Sequence, residues 1–176
     1  ISVGALTPSA VGLPFHLELE MRVPDDWVRL DEVESTQTEG SRLVKQGRTE
    51  LILLAKHQHG GRGRFGRPWL SQRGESLTLS IAFGLYVGHP RPWLLGMACA
   101  CAAAELLDCN IRWPNDLGLN GRKLGGILTD LFPDDHGHMV PCVGIGINVG
   151  QTEFPVEIAD RATSLVQEGR AEPGER

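Results

Sequence analysis

Asn120-Gly121 sits between two strand-like stretches, "DLGL" at 116–119 and "RKLGGILTDLF" at 122–132. Asn-Gly readily takes the two successive left-handed conformations that a two-residue hairpin needs, and it is the strongest short-range hairpin signal. This pair therefore commits the middle of the chain to antiparallel pairing. The neighbouring segments extend the pattern. "IRW" at 111–113 opens a strand that breaks at Pro114, and the polar turn "PDDHGH" leads to a last strand, "MVPCVGIGINV". Upstream, "WVRL" at 27–30 and "LILLAKH" at 51–57 read as strands. "SLTLSIAFGLY" at 76–86 alternates, with Leu77, Leu79, Ile81, Phe83 and Leu85 on one side.

Helices are fewer. "STQTEGSRLVKQG" at 35–47 has an N-cap in Ser35 or Thr36 and a stop in Gly47. "PWLLGMACACAAAELLDC" at 92–109 starts on proline and is rich in small residues, as in a buried helix packed tightly on a sheet. Residues 155–168 are expected to add one more. The order predicts an α+β fold, a mainly antiparallel sheet with helices packed on one face. Residues 1–26, with one alternating piece at "FHLELEM", form a lead-in. Residues 27–168 form the domain and 169–176 a frayed tail.

The chain has 176 residues. A domain near this size buries about two-thirds of its unfolded surface. The four cysteines, at 99, 101, 109 and 142, have neither zinc spacing nor a histidine at a matching offset. They are expected to be buried free thiols in a reducing compartment, with no bound metal. The N-terminus lacks a basic region and contains Pro8 and Pro14, unlike a signal peptide. The longest uncharged apolar run, 92–104, falls short of the ~20 residues that span a bilayer. A cytoplasmic protein is expected.

Net charge is −5, which gives no sign of nucleic-acid binding, but the charge is unevenly spread. Residues 42–123 carry 12 Lys or Arg against 5 Asp or Glu, between acidic flanks. That pattern fits a positive cleft for an anionic ligand, or ordinary surface scatter. "GGRGRFGRPW" at 60–69 concentrates it. It matches neither the Walker A nor the dinucleotide fingerprint. Glycines nevertheless let backbone N–H groups approach an anion, and guanidinium forks bind phosphate or carboxylate oxygens in pairs. A surface hairpin with incidental charge is the alternative. In "RWPNDLGLNGRKLGG" at 112–126, the hairpin brings Asn115, Asp116 and Lys123 together, with Gly125 and Gly126 leaving room beside the lysine. A structural hairpin with a surface ion pair remains open. In "GIGIN" at 144–148, Gly144 and Gly146 bare one strand face, for packing or for ligand.

Together these segments resemble the catalytic domain of biotin protein ligases. "ESTQ" at 34–37, "QHGGRGRFGRPW" at 58–69, "RWPND" at 112–116, "RKLGGI" at 122–127, "GIGINV" at 144–149 and "ATSL" at 162–165 occur in that family's order, across about residues 27–166. The resemblance implies a fold like that of class II aminoacyl-tRNA synthetases. It also implies two reactions: biotin and MgATP give biotinyl-5′-AMP, and a lysine of a carboxylase's biotin carrier domain then takes the biotin. Mg²⁺ would enter bound to the ATP phosphates.

By the same resemblance, Lys123, Arg62 and Asp116 are the catalytic residues. Lys123 would meet the biotin carboxylate and the α-phosphate, and Asp116 would orient or deprotonate the acceptor lysine. Ser35, Thr36, Gln37, Gln58, Arg62, Gly63, Arg64 and Lys123 would hold biotin. Arg62, Arg64, Arg67, Trp69, Asn115, Lys123 and Asn148 would hold ATP, with the arginine loop ordering over the adenylate. Gln37 and Arg112 stand where the family more often has Asn and Lys. A winged helix and a C-terminal SH3-like domain are not evident, so no DNA partner is expected. No membrane partner is expected either, and a homodimer is compatible. A binding module without turnover, or lipoyl or octanoyl transfer, is the alternative function.

Overall fold

The computed structural model describes residues 24–170. The "FHLELEM" piece and residues 171–176 lie outside them. The chain order is β1 (Trp27–Leu30), α1 (Thr36–Val44), β2 (Glu50–Ala55), β3 (Ser76–Phe83), α2 (Trp93–Leu106), β4 (Asn110–Arg112), β5 (Asp116–Leu119), β6 (Arg122–Pro133) and β7 (Met139–Asn148). The strands form one seven-stranded sheet in the order β1-β2-β3-β7-β6-β5-β4. Only the β1–β2 pair is parallel. Asn120 and Gly121 both take positive φ, 49° and 79°, as the hairpin expectation requires.

The α+β, mainly antiparallel expectation holds, with one correction. The helices lie on opposite faces of the sheet, not on one. Leu51 and Leu53 of β2 pack with Leu43 and Val44 of α1, whereas Ile52 between them packs with Leu95, Cys99 and Ala100 of α2. A strand turns successive side chains to opposite faces, so this run of apolar residues marks a strand buried on both sides. β7 divides likewise, with Val140 and Cys142 toward α1 and Val143 and Ile147 toward α2.

Several boundaries differ from expectation. β3 stops at Phe83 because Gly84 begins a 3₁₀ turn, and Leu85 is left exposed. α2 buries only Leu95, Gly96, Cys99 and Ala100, leaving Trp93, Met97 and Leu106 exposed. Cys101 is on that outer side, so the thiols are free but not all buried. Cys99, against the sheet, has its thiol pushed up to about 12 by burial. Residues 155–168 form turns instead of a helix. Their backbone is committed to other partners: Thr163 N–H donates to Lys123 O at 2.9 Å and Val166 N–H to Val149 O at 2.9 Å. The tail is not frayed at its start, since Arg170 bonds the carbonyls of Leu107 and Asp108 and the Asp108 carboxylate. No helix among the described residues is long and apolar enough to cross a membrane.

Candidate functional site

α1 covers only part of its face of the sheet. The rest is a cleft of about 820 Å³. Residues directly opposite one another across strands share a face. Ser80, Gly144 and Leu128 therefore lie side by side, as do Thr78, Gly146, Gly126 and Asp116. Every site residue expected from the sequence lines this cleft: Ser35, Thr36, Gln37, Gln58, Arg62, Gly63, Arg64, Arg67, Trp69, Asn115, Asp116, Lys123 and Asn148.

One end is a buried polar floor. Ser35 caps α1, its hydroxyl accepting from Gln37 N–H at 3.2 Å. Gln58 Oε1 accepts from Thr36 N–H at 2.7 Å and from the Thr36 hydroxyl at 3.0 Å. The Ser80 hydroxyl donates to Thr36 Oγ1 at 2.8 Å, and Ser71 bonds both backbone groups of Gln58 at 3.1 Å. Gln37 donates its amide to the Leu128 and Cys142 carbonyls. Its Oε1 is buried with no partner, as is Trp69 Nε1. Buried polar atoms are nearly always hydrogen-bonded, so two such orphans facing one cleft fit a ligand that supplies the missing groups.

The "GIGIN" glycines take packing as well as lining the cleft. A Cβ on Gly146 would lie 2.6 Å from the Trp69 indole, and one on Gly144 would lie 2.8 Å from the Gln37 amide. Both side chains lie flat on β7 because these positions have none. Gly125 is likewise a packing glycine, since a Cβ there would meet Gly146 O at 2.6 Å; only Gly126 opens beside Lys123. Asn148, buried, donates to Thr163 O at 2.9 Å and so ties β7 to the "ATSL" segment.

Lys123 is aimed by an irregularity. The β5–β6 register shifts between Leu117 and Gly118, where Leu124 is the extra residue. Leu124 turns into the α2-side core, and Lys123 and Gly126, three apart, face the cleft together. Bulges commonly re-aim a side chain in this way. Lys123 Nζ pairs with Asp116 Oδ1 at 2.7 Å, both about one-third exposed. The Asn115 amide bonds Ile127 O at 3.1 Å, securing the strand end after the exposed Trp113.

Across the cleft, residues 61–69 form a small hairpin. Trp69 N–H donates to Gly61 O at 2.9 Å, Gly63 N–H donates to Arg67 O at 2.8 Å, and Arg62 pairs with Pro68. Its tip is a 3₁₀ turn with Phe65 at φ 58° and 84% exposed. Arg62 reaches the Thr38 hydroxyl at 3.2 Å and Arg64 reaches Asn115 Oδ1 at 3.3 Å. Among the described residues, none of the three hairpin arginines is within ion-pair distance of a carboxylate. Three arginines without an ion-pair partner among the described residues, and a lysine, around one cleft suit a ligand that brings its own negative charge.

Sequence reasoning missed the fourth wall, Phe154, Ile158, Arg161 and Ala162. Only "ATSL" marked that region, and a helix was expected there. It also missed Asp130, opposite Cys142 on the cleft face, whose carboxyl is pushed up by burial and partly pulled back by Arg62. Among the described residues, no group of three or more His, Cys, Asp or Glu could hold a metal ion.

Residues 27–148 match the biotin/lipoate A/B protein ligase family. The chain belongs to that family. Its fold is that of the family's biotin ligase catalytic domains, related to class II aminoacyl-tRNA synthetases. Within the family, a solved biotin protein ligase from Aquifex aeolicus, in complex with biotin and ATP, superposes with a TM-score of 0.63 at 33% identity. The match covers 86% of this chain and 64% of that one. The bifunctional ligase/repressor BirA of Bacillus spizizenii is 35% identical over 146 residues, 78% of this chain and 45% of that protein. The biotin–acetyl-CoA-carboxylase ligase of Mycobacterium tuberculosis is 29% identical over 162 residues, 84% of this chain and 58% of that protein. The chain thus spans about half the length of the curated relatives it matches.

Proposed function

We propose that this chain is a cytoplasmic ATP-dependent biotin ligase that forms biotinyl-5′-AMP and transfers biotin to a lysine of a biotin carrier domain. One observation carries the reading: the arginine hairpin and the Lys123–Asp116 pair face each other across a cleft whose other end is a buried polar floor. A neutral ring and a chain of negative charge fit its two ends. The relative from Aquifex aeolicus was solved with biotin and ATP.

In the first step, a biotin carboxylate oxygen attacks the α-phosphorus of ATP, the bond to the β-phosphate breaks, and pyrophosphate leaves. Two anions must meet, so fixed cations are the main requirement. Lys123 serves the carboxylate and the α-phosphate. Arg62, Arg64 and Arg67 serve the phosphates, which arrive with their Mg²⁺. Ser35, Thr36, Gln37 and Gln58 hold the ring end of biotin, with the unpaired Gln37 Oε1 accepting a ligand N–H. Trp69, Asn115 and Asn148 flank the nucleoside. In the second step the acceptor amine, oriented by Asp116, attacks the acyl carbon and AMP leaves. The hairpin, closed over the adenylate, keeps water from the anhydride.

Biotin-dependent exchange of labelled pyrophosphate into ATP tests the first step, and streptavidin blotting of a carrier domain tests the second. Binding of biotin without exchange would reduce the chain to a binding module. Exchange that prefers lipoate would reassign the substrate.

A further inference from the structure

Lys123 is gripped through its backbone as well as through Asp116. Its N–H donates to Arg161 O at 2.7 Å and its carbonyl accepts from Thr163 N–H at 2.9 Å, in a parallel bridge with Ala162. The segment 161–163 is therefore a splint along the start of β6, and Glu168 fastens it. The Glu168 side chain is 6% exposed. Its Oε1 accepts from Arg122 Nη2 at 2.7 Å and from the Thr163 hydroxyl at 2.6 Å, and its Oε2 accepts from the Asn120 amide. One carboxylate thus joins the hairpin turn, the residue before Lys123 and the splint. Only a carboxylate offers two oxygens that both accept with no donor in the way. The Thr163 hydroxyl first, then the Asn120 amide and Arg122, hold this carboxyl below the usual range against the opposing effect of burial.

We propose that Glu168 is a positioning residue for Lys123, setting where the ammonium stands in the cleft without touching the ligand. The proposal rests on the adenylation reading for its kinetic consequence, because small misplacements of a reacting group are costly. Glu168→Gln in the 176-residue chain keeps the size but exchanges one acceptor for an N–H₂ facing other donors. Thr163→Val removes only one of the three bonds and serves as a milder second variant.

Biotin affinity by calorimetry should fall much less than the rate, since the polar floor is untouched and only the Lys123 contact to the carboxylate is disturbed. The maximal exchange rate at saturating biotin and ATP should fall on the order of tenfold in Glu168→Gln and less in Thr163→Val. Labelling of the Lys123 amine by an acylating reagent should become faster, as Nζ leaves Asp116. If the wild-type chain shows no exchange, the functional reading fails while the labelling comparison still judges the clamp. Unchanged labelling in folded Glu168→Gln overturns the proposal. So does a proportional fall in biotin affinity and rate, which would make Glu168 a general stabiliser.

Discussion

The polar floor and the arginine hairpin face the same cleft and are built in opposite ways. Ser35, Thr36, Gln37 and Gln58 are 2–8% exposed and bonded into α1, β3 and the sheet. The hairpin closes through its own backbone, and among the described residues its side-chain hydrogen bonds to the rest of the fold are the two exposed arginine contacts to Thr38 and Asn115. Recognition of a neutral ring depends on direction, and buried groups with fixed partners supply it. Compensation of phosphate charge tolerates a longer reach, and on the proposed reading arginines on a lightly tethered hairpin would supply that while still letting ligand in. Lys123 stands between the two regions, its backbone fixed in β6 and its side chain about one-third exposed.

The largest expected effect is therefore at Lys123. Lys123→Ala should leave the fold nearly intact, weaken biotin binding only by the lost carboxylate contact, and cut pyrophosphate exchange on the order of a hundredfold or more. The loss corresponds to about 3 kcal/mol of charge stabilisation in the transition state. Near-normal exchange in a folded variant would remove the lysine from the mechanism and leave the hairpin as the sole source of charge.

Two substitutions compared side by side test the contrast itself. Gln58→Leu strands the Thr36 N–H and hydroxyl in a buried site and should cost about 2 kcal/mol of stability by urea unfolding, with a parallel loss of biotin affinity. Arg64→Ala removes an exposed contact and should change stability by less than about 0.5 kcal/mol, yet release bound adenylate about tenfold faster. Equal stability losses would mean the hairpin is as much a part of the folded frame as the floor. Proteolysis gives a second view. Cleavage after Arg62 or Arg64 should be easy without ligand and blocked by biotinyl-adenylate (Pro68 protects the bond after Arg67 in either state). Cleavage that ligand does not slow would rule out closure of the hairpin.

The two regions also differ in how legibly the sequence encodes them. The hairpin declares itself, because glycine and arginine in alternation have few other uses. Asn120-Gly121 likewise marked its turn directly. The floor residues Ser35 and Thr36 read locally as a helix cap, which is true but incomplete. The bonds of Thr36 to Gln58 and Ser80 span 22 and 44 residues, beyond any periodicity. The helix faces were misjudged for a related reason: Leu51, Ile52 and Leu53 are all apolar, so alternation could not show that both sides are covered. The splint at 161–168 was hidden because its order comes from Lys123, Val149 and Glu168 partners, not from a pattern within the segment.

That splint decides where the fixed part of the site ends, and pH offers the gentlest test. The Glu168 carboxyl is held below its usual range, chiefly by the Thr163 hydroxyl and the Asn120 amide. A group whose folded value is lowered contributes stability that is fully present above its unfolded value, about 4.3 for a glutamate. That contribution fades as pH falls through the lower, folded value. Glu168→Gln should therefore melt a few degrees below the wild type near neutral pH, about 3 °C for a loss near 1 kcal/mol in a domain of this size. The gap should narrow as the pH is lowered below about 4, while the Arg64→Ala protein stays parallel to the wild type throughout. A gap that does not change with pH would mean that the Glu168 charge does not hold the splint. The segment facing Lys123 would then belong with the hairpin, among the parts of the cleft that ligand must organise.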